Sequence, residues 1–232
     1  VPKPSPLSQH LQGIVLDETE IKFLDREELL EFPELWKIAL WGTPRDAALI
    51  ERLKSLPRLQ DLIEQPGWHM SDGIIQGGES SKKEEAPWLT GMNLVLSENL
   101  QPYFIDLSAS ETIVTDSFHR PRKPEITRAP LVLIQQSQCV ASFSSVDVAY
   151  KDIITGIRTS QDQEWVLWWI TAYINSPIAK YYHFLTSTRW AVERGNILQD
   201  EYAGMPLLLP SYDDRRLQTL LQHLKSLKDL LN

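Results

Sequence analysis

The stretch Ala172-Tyr173-Ile174-Asn175-Ser176-Pro177-Ile178-Ala179-Lys180-Tyr181-Tyr182 marks a junction between two helices in the last third of the chain. Residues 161–174 are apolar on almost every face of a helix, which is typical of a helix that is buried all round. Ser176 before Pro177 combines a helix N-cap with a proline at the first helical position, where a missing N–H is tolerated. The sequence therefore predicts a buried helix over 161–174 and a second helix over 177–185.

The residues on either side of this junction predict further helices and strands. Apolar spacing of three and four predicts helices over 27–41, interrupted at Pro33, over 44–56 after the Thr43-Pro44 cap, and over 214–231. Short, partly β-branched runs predict strands over 103–107, 113–115, 131–135, 140–143 and 153–157. The expected fold is mixed α/β of the α+β class, with a mixed or antiparallel sheet packed against helices and a helical C-terminal third.

Tryptophan and leucine supply the candidate core. Five tryptophans have apolar neighbours on predicted helices, and we expect them in the core: Trp36, Trp41, Trp165, Trp168 and Trp169. A narrow leucine stripe runs along the last helix: Leu217, Leu220, Leu224, Leu227 and Leu231. The stripe either packs on its own domain or contacts a partner helix.

Composition limits the classes of protein to which the chain belongs. A hydrophobic content of 42% with 23% charged residues is that of a folded protein. Cys139 is the only cysteine, which excludes an internal disulfide and fits a reducing cytoplasm. The apolar run over 165–174 is shorter than the roughly 20 residues that cross a bilayer. Residues 1–12 show no apolar segment of a secretory signal, so we expect a cytoplasmic protein without a membrane segment.

Several kinds of active site lack their sequence signatures. The five histidines do not pair at metal-ligand spacing, and no phosphate-cradling Gly-x-x-x-x-Gly-Lys motif or Gly-x-Ser-x-Gly nucleophile motif occurs. Gly73, Gly77 and Gly78 do not fit a cofactor loop and predict a turn. Glu20-Ile21-Lys22 matches half of a nuclease motif, but the second carboxylate that magnesium requires is not evident. We therefore predict no catalytic residue, metal or bound cofactor in this chain.

Charge gives a mixed indication about nucleic acid. The formal net charge is -8, which opposes phosphate contact on a simple count. Cations nevertheless cluster locally at Arg120, Arg122, Lys123 and Arg128, with prolines stiffening the same segment. The cluster is either an ordinary solvated loop or a phosphate-binding patch, and its placement in the fold decides between them.

Three passages of the chain resemble the target-recognition region of adenine-N6 DNA methyltransferases of the TaqI-like and combined restriction-modification kinds. The first is the junction quoted above, followed by Thr186-Ser187-Thr188-Arg189-Trp190 and then by Glu201-Tyr202 with Met205-Pro206-Leu207. The second is Leu35-Trp36-Lys37-Ile38 with Trp41-Gly42-Thr43-Pro44-Arg45-Asp46. The third is Phe118-His119-Arg120-Pro121-Arg122-Lys123-Pro124 with Ala129-Pro130-Leu131-Val132-Leu133-Ile134. The family's catalytic Asn/Asp-Pro-Pro-Tyr/Phe motif and its cofactor motif are absent.

The resemblance implies a division of the chain and a set of partners. Residues 1–85 would connect to a catalytic domain outside this chain, 86–210 would recognise the target, and 211–232 would form the terminal amphipathic helix. The partners would be double-stranded DNA and the catalytic domain. S-adenosylmethionine would be bound by the full-length enzyme and not by this chain.

Two clusters are the candidate DNA contacts that the resemblance implies. Cations and hydroxyls fix phosphates, and arginine reads guanine edges. The candidates are Arg120, Arg122, Lys123, Arg128, Lys151, Arg158, Thr186, Ser187, Thr188, Arg189 and Arg194. Trp190 is either a core residue or a stacking surface. The alternative function is a protein-interaction or scaffold domain that keeps the fold without contacting DNA.

Overall fold

The computed structural model describes residues 23–190 and 195–231, with the backbone alone for 228–231. The chain divides into two compact units, residues 1–48 and 49–232. The helices are α1 (Arg26–Glu31), α2 (Leu35–Trp41), α3 (Pro44–Lys54), α4 (Leu59–Ile63), α5 (Glu164–Asn175), α6 (Pro177–Thr186), α7 (Gln199–Ala203) and α8 (Arg215–Leu231). Glu20 and Arg194 lie outside the described residues.

The described part of the first unit consists of α1, α2 and the start of α3. The Asp25 carboxylate caps α1 by accepting hydrogen bonds from two backbone N–H groups. Pro33 lies between α1 and α2, as its missing N–H predicts. The expectation of core tryptophans is wrong here, because Trp36 and Trp41 are 38% and 43% exposed. Helix α2 bears apolar side chains on all its sides, but only the side with Lys37 and Ile38 is buried.

The second unit contains every described strand. The strands are β1 (His69–Asp72), β2 (Glu84–Glu85), β3 (Asn93–Val95), β4 (Leu100–Gln101), β5 (Phe104–Ile105), β6 (Glu111–Thr112), β7 (Ser117–Phe118), β8 (Leu131–Gln135), β9 (Val140–Ser144), β10 (Ala149–Tyr150) and β11 (Ile154–Arg158). Short 3-10 helices cover Pro87–Leu89, Ser97–Asn99, Pro124–Thr127 and Gln161–Gln163.

A four-stranded antiparallel sheet organises this unit, with strand order β1-β11-β8-β9. All five residues of β8 and of β9 are buried, which means that both faces of the sheet are covered. On one face α5 packs against β8 and β9, and Phe143 stacks on Trp168 with ring centroids 4.0 Å apart. On the other face Leu131, Leu133 and Ile154 join a second core cluster.

Smaller sheets attach to the main one. Strands β10, β3 and β6 form a three-stranded sheet in which β10 and β3 are parallel and β3 and β6 are antiparallel. Two-stranded ladders join β2 to β7 and β4 to β5. A separate apolar cluster that includes Ile74, Leu94 and Phe118 lies beneath these elements.

The C-terminal helices follow the sequence prediction closely. The Ser176 hydroxyl caps α6 by accepting from the Ala179 N–H, with Pro177 at the first turn. Along α8, Leu217, Leu221 and Leu224 are buried, and α8 contacts α5. The proximal part of the leucine stripe therefore packs on its own domain, whereas Leu227 is 37% exposed.

The expected α+β class with a helical C-terminal third is confirmed. The predicted strand over 131–135 matches β8, and the strands over 140–143 and 153–157 match β9 and β11 to within a residue or two. The division at residues 85 and 210 stays a prediction about how the chain joins a catalytic domain. None of the described helices is both long and apolar enough to span a membrane.

Candidate nucleic-acid interface

A groove of about 800 Å³ runs between β1 and the segment His119–Lys123, which we call the basic loop. Strand β1 is an edge strand of the main sheet, paired with β11. The chain beyond β1 holds the basic loop through reciprocal backbone bonds between Ile75 and Arg120, each 3.0 Å long. The groove is therefore built on the sheet and does not depend on a free loop.

Arg122 holds the basic loop in shape. Its backbone lies in the left-handed region with φ of 64°, which is uncommon for a residue other than glycine. Its Nε donates to the Gly73 carbonyl oxygen at 3.0 Å. Burial raises the pKa of Asp72 at the end of β1, and the Thr155 hydroxyl and the Arg122 guanidinium oppose that rise. Arg122 thus joins the loop to β1 besides carrying charge.

The charge of the groove is opposite to that of the whole chain. Its lining includes three cations, Arg120, Arg122 and Lys123, and one carboxylate, Glu84. With neutral histidines these sum to 3 - 1 = +2, against -8 for the chain. Arg120 and Lys123 are exposed, so the Arg120 guanidinium and the Lys123 ammonium group face solvent and can reach an anion.

Four residues near the groove were not identified from the sequence. His69 and His119 line it, and both are exposed. The Lys82 carbonyl lies 3.0 Å from His119 Nδ1, and β2 follows immediately after Lys83 to pair with β7. These contacts place the otherwise acidic segment 79–85, with its lysines Lys82 and Lys83, beside the basic loop. The sequence alone does not reveal this proximity, because the pairing partners Glu84 and Phe118 are 34 residues apart.

Two of the predicted contacts, Arg128 and Arg158, lie at one end of the sheet and do not line the groove, although Arg158 is the strand partner of His69, which does. Arg128 precedes β8, and Arg158 ends β11 opposite His69 and Leu131. The Arg128 guanidinium forms an ion pair with Asp147. Burial acts to raise the pKa of Asp147, but the Ala129 N–H and Arg128 hold it below its usual value. The charge of Arg128 is therefore largely balanced within the protein.

Lys151 lies in the turn between β10 and β11. Its backbone forms an isolated bridge with Ile74, and its carbonyl lies against Gly73, whose own carbonyl accepts the bond from Arg122. A side-chain carbon at Gly73 would meet the Lys151 oxygen at 2.4 Å. This close approach brings the Lys151 backbone next to the base of the basic loop.

The second predicted cluster follows α6 and is fixed by Glu201 of α7. The Ser187 hydroxyl, the Thr188 N–H and the Thr188 hydroxyl all donate to the Glu201 carboxylate, at 3.0, 2.7 and 3.1 Å. Ser187 is buried, and the Thr186 hydroxyl donates to the Tyr182 carbonyl. Of this cluster, Thr188 is exposed and Arg189 is half-buried.

The Trp190 indole is an anchor of the same segment. Its Nε1–H donates to the Ser137 carbonyl at 3.0 Å, in the turn between β8 and β9. Its backbone N–H donates to the Ser187 hydroxyl at 3.1 Å. The structure thus fixes the segment 187–190 against the end of the sheet that carries Asp72, whose N–H bonds to Gln199 of α7.

The described residues contain no group of three or more His, Cys, Asp or Glu side chains that could hold a metal ion. What the arrangement offers is anion binding by cations on a loop whose backbone is held at the groove, with a second polar segment anchored through α7. Neither feature supplies a nucleophile aligned with a base.

No family model matches the chain, and no curated protein matches it. Two of the solved structures to which the chain is similar are the following. One, from work on complex assembly and conformational transition of the type I R-M system, is 14% identical with a TM-score of 0.36 and covers 79% of this chain and 48% of that chain. Another, the HsdS subunit from Thermoanaerobacter tengcongensis, is 14% identical with a TM-score of 0.34 and covers 86% and 53%. The chain thus spans about half the length of each.

Proposed function

We propose that this chain is the DNA-recognition module of an adenine-N6 DNA methyltransferase or restriction-modification enzyme and performs no chemistry alone. The observation that carries the proposal is the positive groove beside β1, with a lining charge of +2 on a chain of charge -8. Cations concentrated on one surface bind phosphates and orient a duplex, and an acidic remainder keeps the other surfaces away from it.

The division of labour within the enzyme follows from the missing motifs. The chain has no Asn-Pro-Pro-Tyr-type motif, so the target adenine and S-adenosylmethionine would be bound by a catalytic domain outside it. Such a domain extrudes the adenine from the duplex, while the recognition module grips the duplex alongside. Exposed apolar side chains on the first unit, such as Leu30, Leu40 and Trp41, are suited to contact that domain.

The test is a salt-dependent binding titration with a matched control. Replacement of Arg120 and Lys123 by alanine removes two exposed groove cations, and we expect the slope of log K against log salt to become shallower by about 2. The Arg215→Ala/Arg216→Ala variant loses the same charge from exposed residues of α8 that do not line the groove, and its slope should not change. Fluorescence anisotropy with labelled duplex DNA measures both.

The outcomes separate the two candidate functions. Absence of duplex binding at low salt, or equal losses in the groove and control variants, would overturn DNA recognition. A protein-interaction module is the second candidate, favoured by the exposed aromatic and aliphatic side chains of α1 and α2. It predicts binding to a protein partner that is insensitive to the groove cations and is lost on Leu40→Ser/Trp41→Ser.

A further inference from the structure

We propose that the groove between β1 and the basic loop holds an unpaired nucleotide of the bound DNA. This proposal rests on the proposed function and specifies which form of DNA the groove receives. It concerns His69, His119 and the outer edge of β1, none of which a phosphate contact requires.

The floor of the groove is the first reason. We call the floor four apolar residues that line the groove besides the charged ones, Ile63, Trp68, Met70 and Ile126, of which Trp68 and Ile126 are buried. A sugar-phosphate backbone needs cations and N–H donors and gains nothing from such a floor. A nucleobase has apolar flat faces and gains from their burial, so the combination of floor and rim fits one whole nucleotide.

The two histidines are the second reason. His69 and His119 are exposed and line the same groove. The Lys82 carbonyl lies 3.0 Å from His119 Nδ1, and a hydrogen bond from the tautomer protonated at Nδ1 orients that imidazole ring. Histidine is among the side chains on which unpaired bases stack, and a ring that is already oriented loses little entropy on stacking.

The free edge of β1 is the third reason. The Asp72 N–H donates to Gln199 Oε1 at 3.1 Å, so it points away from β11. Alternate residues of a strand direct their backbone groups to the same side, so the Met70 N–H and C=O also point away from β11. Met70 lines the groove, and this places a donor next to an acceptor, the pattern that pairs with the hydrogen-bonding edge of a base.

The dimensions of the groove are consistent with this ligand. Its volume of about 800 Å³ is in the range of pockets that enclose small molecules, roughly 300–1,000 Å³. The stacked bases of an intact duplex cannot enter such a groove, whereas a base outside the stack can. The charge of +2 in the lining complements the phosphates on either side of an unpaired nucleotide.

The experiment compares three DNA probes of one sequence: an intact duplex, the same duplex with one unpaired nucleotide, and the single strand. We expect the 232-residue chain to bind the duplex with the unpaired nucleotide at least about fivefold more tightly than the intact duplex. The His69→Ala/His119→Ala variant should lose this gain while its affinity for the intact duplex changes little. His223→Ala, at an exposed position on α8, is the matched control and should keep the gain.

The other outcomes contradict either the inference about the unpaired nucleotide or the proposed function. Equal affinity for the intact and unpaired probes in the unmodified chain overturns the inference, and the proposed function survives if duplex binding still depends on Arg120 and Lys123. Failure to bind any of the probes overturns the proposed function itself. Displacement of the unpaired probe by an oligoglutamate peptide at equal concentration overturns the inference in favour of an acidic protein segment.

Discussion

At the scale of single residues, Glu201 fixes more of the candidate interface than any of the predicted contact residues does. Its carboxylate accepts from Ser187 and twice from Thr188, and also from the Leu198 N–H at 2.8 Å. The donors lie on both sides of Arg189 in sequence, so one side chain fixes the spacing between the end of α6 and the start of α7. A buried hydroxyl such as that of Ser187 needs this acceptor, because water does not reach it.

We therefore expect Glu201→Ala to lower the free energy of unfolding by roughly 2–3 kcal/mol, since hydrogen bonds to a charged acceptor contribute more than neutral ones. Urea denaturation followed by tryptophan fluorescence measures the loss. Glu51→Ala is the control, because Glu51 is exposed on α3, and a change within about 0.5 kcal/mol is expected there. Equal effects of the two substitutions would contradict the anchoring role of Glu201.

Of the residues at the site, some are predictable from local sequence and others depend on distant partners. Arg120 and Lys123 are predictable as exposed cations because prolines keep their segment out of helices and strands. The roles of Arg122 and Ser187 are not predictable, since each depends on a partner distant in sequence: Gly73 for Arg122 and Glu201 for Ser187. Two of the residues predicted to contact DNA, Arg122 and Ser187, therefore also stabilise the fold.

At the scale of secondary-structure elements, the junction between α5 and α6 shows how its sequence attaches the helices to the sheet. The Asn175 side chain acts as a strand partner for β9. Its Oδ1 accepts from the Ala141 N–H at 3.1 Å, and its Nδ2 donates to the Ala141 carbonyl at 2.7 Å and to the Thr171 carbonyl at 3.0 Å. An asparagine before a capping serine thus fixes both where α5 ends and where it attaches to the sheet.

This geometry predicts different costs for two adjacent substitutions. Asn175→Ala leaves the buried Ala141 N–H without its acceptor, and we expect a loss of about 2–3 kcal/mol in the free energy of unfolding. Ser176→Ala removes one cap bond of 3.3 Å and should cost about 1 kcal/mol. Thermal and urea denaturation of both variants test the order. A larger loss for Ser176→Ala would show that capping, and not attachment to β9, fixes the junction.

Elements were predictable where local pattern and burial agree. The helices α5, α6 and α8 and the strands β8, β9 and β11 combine strong apolar patterns with clear breakers at their ends. The two-residue strands β2 and β7 have no such pattern, and their pairing depends on tertiary contacts. Because the groove is formed by β1 and the loop that follows β7, the spacing of apolar residues in the sequence does not predict it.

At the scale of the whole molecule, the distribution of charge matters more than its sum. The chain has 31 acidic and 23 basic side chains, yet the groove collects three cations and one carboxylate. A net charge of -8 would repel a polyanion at long range, but that repulsion is screened beyond roughly 10 Å at 0.1 M salt. In the proposed complex, local cations would determine contact, and the acidic remainder would favour one orientation of the duplex over others.

The single cysteine makes the cooperativity of the second unit measurable. Cys139 is fully buried beneath α5 and α7, its Sγ donating to the Ile174 carbonyl, and burial raises the pKa of its thiol to about 11. At pH 8 roughly one molecule in a thousand would carry the reactive thiolate even if reagent had access.

We expect labelling of Cys139 by Ellman's reagent to require opening of the unit, so the labelling rate should rise with urea in parallel with unfolding followed by circular dichroism. A Ser80→Cys variant in a Cys139→Ala background places a thiol at an exposed position and should react at once. Rapid labelling of Cys139 in native buffer would mean that α5 and α7 separate from the sheet without global unfolding, which the shared hydrogen bonds of Asn175 and Glu201 oppose.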